Sequence, residues 1–239
     1  MKNIINKILI TGASGYIGSC TYFFLNNKFK LSGVDKVINN NFRINKCNLL
    51  NKKKITSLIK VIKPDLIIHL AAQSLVDEKI NKKKYYQNNI TATKNLIEAM
   101  EENTIRNIIF SSTAALYKVK NSTIDEKDKI KPISTYAKTK YVCEKIIRNS
   151  KLNSVILRFF NVCSALTEPK LIGELHNPET HLIPTLTYKN LFKKKIFIYG
   201  NSYNTKDGTC IRDYVHVSDI CRAIHKSINL FNGKSKICE

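Results

Sequence analysis

A tyrosine and a lysine four residues apart, Tyr136 and Lys140, have the spacing in this sequence that best suits proton transfer. Residues four apart on a helix project from the same face. A phenol ordinarily loses its proton near pH ~10, and an adjacent ammonium lowers that pKa by favouring the phenolate. The pair therefore predicts a proton acceptor that works near neutral pH. Because Tyr-x-x-x-Lys is also common on solvated helix faces, this hypothesis depends on the motifs around it.

A hydroxyl-rich segment, Ser111-Ser112-Thr113, precedes the pair and follows an apolar run. A threonine at the end of a strand often satisfies local backbone groups, which is the structural alternative for Thr113. Ahead of a Tyr–Lys pair, the same hydroxyl is favourably placed to act on a reacting oxygen. We therefore interpret Thr113, Tyr136 and Lys140 as one catalytic set.

Three glycines near the amino terminus, Gly12, Gly15 and Gly18, stand between an apolar strand candidate and a helix candidate. Without side chains the backbone can turn sharply and approach a pyrophosphate at the helix amino terminus. Asp35 ends the next predicted strand, where a carboxylate can accept both ribose hydroxyls. It would repel a 2′-phosphate, so NAD is favoured over NADP, although the neighbouring Lys36 weakens that inference. The alternative to cofactor binding is a tight turn whose glycines allow the helix to pack closely, with Asp35 as a surface carboxylate.

Short apolar runs alternate with helical patterns, which is typical of a βαβ succession. We predict strands at residues 7–10, 29–34, 65–70, 107–110 and 154–159, and helices at 16–26, 55–62, 85–102 and 135–149. The fold class is therefore α/β, with a Rossmann-like, doubly wound parallel sheet. The alternation fades beyond Val162. We predict an NAD-binding domain over residues 1–162 and a smaller substrate lobe over 163–239, some segments of which return to the main sheet.

Composition and charge indicate which partners and which compartment to expect. The net charge is +22, but the lysines are scattered without aromatic residues between them, which favours compositional drift over a nucleic-acid surface. No apolar run is long enough for a membrane span, and the amino terminus lacks a secretory signal pattern. Seven widely spaced cysteines and histidines without metal-ligand spacing indicate reduced thiols and no metal. We expect a cytoplasmic protein with no nucleic-acid or membrane partner.

The chain resembles the extended short-chain dehydrogenase/reductase family, most closely its UDP-glucose 4-epimerase branch, from Lys7 to about Ala223. The matching segments are 69–72 (HLAA), 85–89 (YYQNN), 110–115 (FSSTAA), 157–161 (LRFFN), 173–184 (GELHNPETHLIP) and 207–217 (DGTCIRDYVHV). The resemblance implies that Tyr136 removes the proton of a sugar 4-hydroxyl while NAD takes the hydride from C4. The 4-keto sugar then rotates and regains the hydride on its opposite face, which interconverts UDP-galactose and UDP-glucose. Thr113 would bond the same hydroxyl, and Lys140 would lower the pKa of Tyr136 and hold the nicotinamide ribose.

The same resemblance implies two sets of contact residues. The cofactor set is Gly12, Gly15, Tyr16, Ile17, Gly18, Asp35, Asn48, Leu49, Leu70, Ala71, Ala72, Asn88, Thr113, Tyr136, Lys140 and Phe160. The substrate set is Thr113, Asn161, Leu182, Tyr199 and Arg212. A pair of Arg212 with Asp207 or Asp213 is an equal alternative. His69 would be a core histidine, and a homodimer would form through the helices at 85–102 and 135–149.

Several features depart from the family pattern. Asn48 stands where an acidic residue usually reaches the adenine, Ser74 replaces a lysine near the cofactor, and Lys118 replaces a glycine after Tyr117. The chain ends at Glu239, where the family continues with the rest of its sugar-binding lobe, so we expect that lobe to be incomplete.

Other functions stay open at this point. A nucleotide-sugar dehydratase would need an acid–base pair just after Thr113, where this chain has Ala114-Ala115. Epimerases for other UDP-sugars differ only in pocket shape. A truncated remnant could still bind NAD with weak or no turnover, and a nucleic-acid-binding protein is supported by charge alone.

Overall fold

A six-stranded parallel sheet with helices on both faces forms the body of the molecule. The computed structural model describes residues 4–38, 44–75, 81–120, 122–174 and 179–231. The sheet contains β1 Lys7–Thr11, β2 Lys30–Asp35, β3 Ile44–Lys46, β4 Leu66–His69, β5 Asn107–Thr113 and β6 Asn153–Phe159. A separate parallel pair consists of β7 Asn161–Cys163 and β8 Tyr214–His216. The helices are α1 Tyr16–Leu25, α2 Lys52–Ile62, α3 Lys82–Tyr85, α4 Ala92–Glu102, α5 Thr135–Arg148, α6 Leu182–Leu191 and α7 Val217–Phe231.

The strand order is β3-β2-β1-β4-β5-β6, and β1 lies where the order reverses. Thr11 at the end of β1 pairs with Val34 of β2 on one side and with His69 of β4 on the other. In open parallel sheets of this order, ligands bind at the carboxyl ends of the strands beside such a reversal. The predicted doubly wound α/β fold is confirmed, and the sheet edge at which a ligand is expected follows Thr11 and His69.

Alternate residues of the central strands pack on opposite faces of the sheet, as the period of two requires. Leu9, Ile67 and Ile108 belong to a core with α2, α4 and α5, while Ile10 and Ile68 belong to a core with α1 and α7. Buried on both faces, these strands are nearly continuous runs of apolar residues. Their burial fixes the strand ends that carry the predicted site.

The predicted helix at 85–102 differs from the structure in its inner geometry. Helical backbone begins at Lys82, and a π-helical turn at Tyr86–Thr91 separates α3 from α4. Single π turns inside helices commonly occur at functional sites. Helix α5 agrees closely with its prediction because Ser134 caps it, its hydroxyl accepting a hydrogen bond from the Ala137 amide at 3.1 Å.

The region after Val162 contains little regular structure apart from α6, β8 and α7. Helix α6 has no buried side chain, whereas α7 packs on the main sheet beside α1. The division into domains at residue 162 stays a prediction. Six cysteines of the described ranges are free thiols, as expected, and Cys238 lies outside those ranges. None of the helices that the structure describes is long and apolar enough to cross a membrane.

Candidate active site

The glycine-rich loop joins β1 to α1 and is packed too tightly for side chains. Gly12 has a φ of 73°, and a Cβ there would lie 2.7 Å from the Ala71 amide nitrogen. A Cβ on Gly18 would overlap the Gly12 carbonyl oxygen. Gly15 precedes α1 and leaves its first-turn amides without a side-chain cap. Unoccupied first-turn amides at the positive end of a helix suit a phosphate.

Tyr16 and Ile17 begin α1, but their side chains point into the protein. The Tyr16 hydroxyl donates to the Ser164 carbonyl at 2.6 Å, and burial raises the pKa of Tyr16 well above its usual value. Ile17 is half-buried against the apolar residues around α7. Only the backbone amides of these two residues are therefore available to a pyrophosphate.

Asp35 ends β2 beside the glycine-rich loop. Its Oδ2 accepts a hydrogen bond from the Ser14 amide at 3.0 Å, and its Oδ1 accepts one from the Val37 amide at 3.2 Å. A carboxylate has about four lone-pair sites, so both oxygens keep acceptor capacity for hydroxyl groups. The carboxylate is thus held next to the loop in a position that suits a ribose.

The residues after β3 are occupied by local structure. Asn48 Oδ1 accepts a hydrogen bond from the Leu50 amide at 3.0 Å. Leu49 is buried, and its carbonyl accepts a hydrogen bond from Asn95 at 2.9 Å. Contact of Asn48 and Leu49 with an adenine stays a prediction. Lys118 does not adopt the positive φ that favours glycine, so its backbone is not strained at this position.

His69, at the end of β4, lies between two threonine hydroxyls. Its Nδ1 is 2.7 Å from Thr11 Oγ1, and its Nε2 is 3.0 Å from Thr93 Oγ1. Complete burial lowers the pKa of His69 to about 3, with a smaller effect from the Lys140 charge. The prediction of a core histidine at a strand end is confirmed. Thr11 also accepts a hydrogen bond from the Ala71 amide at 3.3 Å, which fixes the loop after β4.

The π turn brings a second asparagine into contact with this loop. Asn89 is 1% exposed, and its Oδ1 accepts a hydrogen bond from the Gln73 amide at 2.7 Å. Its amide nitrogen donates to Thr139 Oγ1 at 2.9 Å, and Thr139 donates to the Tyr136 carbonyl at 2.8 Å. The half-buried Asn88 precedes it. The loop 70–73, the π turn and α5 are therefore joined by hydrogen bonds.

The predicted catalytic hydroxyls meet where β5 ends and α5 begins. Tyr136 lies in the first turn of α5, and its side chain approaches that of Thr113, the last residue of β5. Burial raises the pKa of Tyr136 to about 12, and the nearby Thr113 side chain opposes that rise. The expectation of a lowered pKa is therefore wrong for the chain in this state, and the phenol holds its proton at neutral pH.

The position of the Lys140 side chain explains why the pKa of Tyr136 is not lowered. Its side chain is buried, and its ammonium nitrogen lies 4.3 Å from the centroid of the Phe110 ring. Burial lowers the pKa of Lys140 to about 8. In a site screened from water, the ammonium interacts with the negative face of the aromatic ring. Helical spacing placed Lys140 and Tyr136 on one face of α5, but it could not predict which neighbour the ammonium would contact.

The predicted substrate residues are less closely assembled. Asn161 begins β7 and donates to the Asp213 carbonyl at 2.9 Å, which joins β7 to the segment before β8. Tyr199 is 94% exposed, and Leu182 is also exposed. The Arg212 guanidinium donates to the Ile211 carbonyl, whereas the Asp207 carboxylate accepts from Thr209 in its own loop. The sugar contacts of Leu182, Tyr199 and Arg212 stay predictions.

The remaining predicted cofactor residues lie at the same sheet edge. Leu70, Ala71 and Ala72 follow β4 and are half-buried, while Phe160 follows β6 and is 39% exposed. Three buried polar residues of this region were not among the predicted site residues: Asn89, Thr139 and Glu144. For Glu144 a signal existed, because it follows Lys140 by four residues on the same helix.

A model of the NAD dependent epimerase/dehydratase family matches residues 8–237. A UDP-glucose 4-epimerase of Rhizobium meliloti is 35% identical over 242 residues, covering 94% of this chain and 72% of that protein. One from Mycoplasma genitalium is 38% identical over 240 residues, covering 91% of this chain and 69% of that protein.

Solved structures agree with these sequence relatives. The structure of UDP-glucose 4-epimerase from Brucella ovis in complex with NAD has a TM-score of 0.89 at 31% identity, covering 97% of this chain and 75% of that one. The enzyme from Bifidobacterium longum in complex with NAD+ and UDP has a TM-score of 0.85 at 25% identity, with coverages of 94% and 74%. With its glycine-rich loop, its Asp35 carboxylate and its Thr113–Tyr136 contact, the chain belongs to the NAD dependent epimerase/dehydratase family.

Proposed function

We propose that this chain interconverts UDP-galactose and UDP-glucose by inverting C4 with bound NAD. The observation that carries the proposal is that the Thr113 and Tyr136 side chains meet at the carboxyl edge of the sheet, with Lys140 buried one turn further along α5. Relatives that carry the name UDP-glucose 4-epimerase cover most of the chain at 35% and 38% identity.

The residues present fit NAD. Gly12 and Gly18 allow a tight loop in which a Cβ would clash with backbone atoms, Gly15 leaves the first turn of α1 without a side-chain cap, and Asp35 accepts a hydrogen bond from Ser14 of the same loop. We assign the pyrophosphate to the amides of Tyr16 and Ile17 and the adenosine ribose to Asp35. When bound, the cofactor would take a hydride from C4 of the sugar and return it to the opposite face.

In this proposal Thr113 and Tyr136 handle the proton of the sugar 4-hydroxyl. The phenolate oxygen of Tyr136 accepts that proton as the 4-keto sugar forms, and the resulting phenol gives it back after the sugar has rotated. Because the pKa of Tyr136 is about 12 with Lys140 against Phe110, the phenolate needs a nearby positive charge. We infer that the Lys140 ammonium leaves the ring and turns towards the phenol when the cofactor ribose arrives.

A dehydratase is the alternative that the site disfavours. Elimination requires an acid and a base next to the hydroxyl at 113, and the structure has the buried Ala114 and the exposed Ala115 there. The Ala115 amide donates to Thr113 Oγ1 at 3.2 Å, which closes this turn with backbone. Neither alanine offers a group that transfers protons.

We also propose a homodimer through the helical run at 82–102 and α5. Tyr86 is 51% exposed and Val142 is 37% exposed, so both helical segments present apolar side chains to solvent. Analytical ultracentrifugation of the chain with NAD should then give the mass of two subunits, and Val142→Lys should lower it to one.

The direct test of function uses the purified chain and UDP-galactose without added reductant. Proton NMR should show UDP-glucose accumulating until the two sugars reach equilibrium, and Tyr136→Phe should abolish this conversion while NAD stays bound. Bound NAD without any conversion in the unmodified chain would contradict the epimerase proposal and leave a cofactor-binding remnant. A 4-keto-6-deoxy product would instead identify a dehydratase.

A further inference from the structure

A buried carboxylate, Glu144, lies one helical turn beyond Lys140 and carries a dense set of hydrogen bonds. Its side chain is 1% exposed. Arg158 donates to it through both ends of its fork, from Nε to Oε1 at 3.0 Å and from Nη2 to Oε2 at 2.8 Å. Ser112 Oγ donates to Oε1 at 2.5 Å. Bidentate, charge-assisted bonds of this kind fix geometry as well as charge.

This network joins the elements that hold the catalytic set. Ser112 precedes Thr113 on β5, Arg158 lies on β6, and Glu144 lies on α5. Arg158 also donates to the Tyr117 hydroxyl at 2.8 Å, and its guanidinium lies 5.0 Å from the centre of that ring. The network therefore fixes the spacing between the end of β5 and the helix that carries Lys140.

The charges around Lys140 give Glu144 a second effect. Cys143 on α5 has a pKa raised by burial, so its thiol is neutral, as is the Tyr136 phenol. From β4, His69 is neutral because its pKa is about 3, and from β5 the Phe110 ring carries no net charge. Glu144, one turn further along α5, is a carboxylate whose charge raises the pKa of Lys140.

Helix α4 and the arginines complete this environment. From α4, Thr93 contributes a neutral hydroxyl that bonds His69. Two cations pair with Glu144: Arg158, and Arg148, whose Nη2 is 3.8 Å from Oε2. Without the carboxylate, Arg158 would be left as a largely buried cation with no ion-pair partner at this position.

We propose that Glu144 is a positioning residue for the epimerase reaction, because its carboxylate ties β5 and β6 to α5 and keeps the buried Lys140 ammonium charged. This inference rests on the proposed function for its catalytic meaning. The charge state of Lys140, on which the inference depends, can be measured without turnover.

The decisive variant is Glu144→Gln, which keeps the shape of the side chain and removes its charge. In the NAD-free chain, in which the Lys140 ammonium lies against Phe110, NMR with 13C-labelled lysine follows the titration of the Lys140 ε-carbon, and the loss of that signal in Lys140→Met identifies it. We expect the titration midpoint of Lys140 to be measurably lower in Glu144→Gln than in the unmodified chain. The alkaline limb of the pH–rate profile for UDP-galactose should move down with it.

Two further variants separate charge from folding. Glu98→Gln is the matched control, because Glu98 pairs with Lys52 at the surface, and it should leave the Lys140 midpoint unchanged. Glu144→Gln combined with Arg158→Gln removes both charges of the ion pair and avoids an uncompensated buried cation. The Lys140 titration midpoint of this double variant should lie between those of the unmodified chain and Glu144→Gln. The double variant provides the test if Glu144→Gln does not fold.

An unchanged Lys140 midpoint in Glu144→Gln, or in the double variant where the single one is unfolded, would overturn the inference. That result would leave Glu144 with a purely structural role, even if activity fell. A lowered midpoint in a chain that never converts UDP-galactose would support the charge relationship and count against the proposed function alone.

Discussion

The ammonium nitrogen of Lys140 lies 4.3 Å from the centre of the Phe110 ring, on the sheet side of α5. Tyr136, one turn earlier, lies instead beside the Thr113 side chain, and burial raises its pKa to about 12. Both groups are therefore in their resting protonation states at neutral pH, with a charged lysine beside a neutral phenol. The chemistry proposed for the site requires this arrangement to change when the cofactor binds.

The first prediction is that NAD lowers the pKa of Tyr136. An ammonium that turns from Phe110 to the phenol favours the phenolate, so the titration of Tyr136 should move at least about one unit below its cofactor-free midpoint. The ultraviolet difference between the unmodified chain and Tyr136→Phe, followed against pH with and without NAD, isolates this tyrosine. In a Lys140→Met background the displacement should vanish, and an equal midpoint with and without NAD would refute the proposed movement of Lys140.

The second prediction concerns stability, because burying Lys140 has an energetic cost. Its pKa falls from 10.5 to about 8 on folding, so the unfolded chain binds the proton more tightly. The cost is absent above pH 10.5, grows as the pH falls towards 8, and is constant below that. One pKa unit corresponds to about 1.4 kcal/mol, so Lys140→Met should raise the free energy of unfolding at pH 7 by a few kcal/mol.

Urea unfolding of NAD-free protein at several pH values measures this effect. The gain from Lys140→Met should shrink steadily between pH 8 and 10.5. A gain that is the same at both ends of that range would show that the effect comes from packing and not from the buried charge.

The third prediction concerns the glycine-rich loop. Gly12→Ala would place a Cβ 2.7 Å from the Ala71 amide at a φ of 73°, a conformation that costs a side chain about 1–2 kcal/mol before any clash. We expect NAD affinity to fall at least about tenfold, which corresponds to about 1.4 kcal/mol. Gly173→Ala is the matched control, since its Cβ would meet only Ala165 at an ordinary 3.8 Å. Fluorescence titration with NAD should separate the two variants, and equal affinities would contradict the tight packing of the loop.

The fourth prediction tests the hydrogen bonds from the π turn to α5. Asn89→Leu leaves the Gln73 amide and the Thr139 hydroxyl without their buried partner, at about 1–3 kcal/mol for each group. If Asn89 positions Tyr136 through Thr139, then Asn89→Leu and Thr139→Val should lower kcat by less together than the product of their separate effects. A double-mutant cycle on kcat and on urea stability measures this coupling. Strictly additive effects on kcat would show that the two residues act independently.

The sheet was predictable because its strands are buried on both faces and are bounded by turns, so an apolar run such as 65–70 has few other interpretations. Residues at strand ends, including Asp35 and Thr113, were equally accessible, since parallel topology brings all carboxyl ends to one edge. The neighbour of the Lys140 ammonium was not predictable, because a flexible side chain chooses between Tyr136 and Phe110 by local packing. Helix α6 was not among the predicted helices, and none of its side chains is buried, so no apolar face distinguishes it from the irregular segments around it.

The central claim is that hydrogen moves from C4 of the sugar and returns to the same carbon within one site. UDP-galactose carrying deuterium at C4 tests this most directly, with the product examined by mass spectrometry and NMR in ordinary water. We expect UDP-glucose that retains the deuterium at C4, formed by the unmodified chain and not by Tyr136→Phe. UDP-glucose that has lost the label to solvent would contradict it.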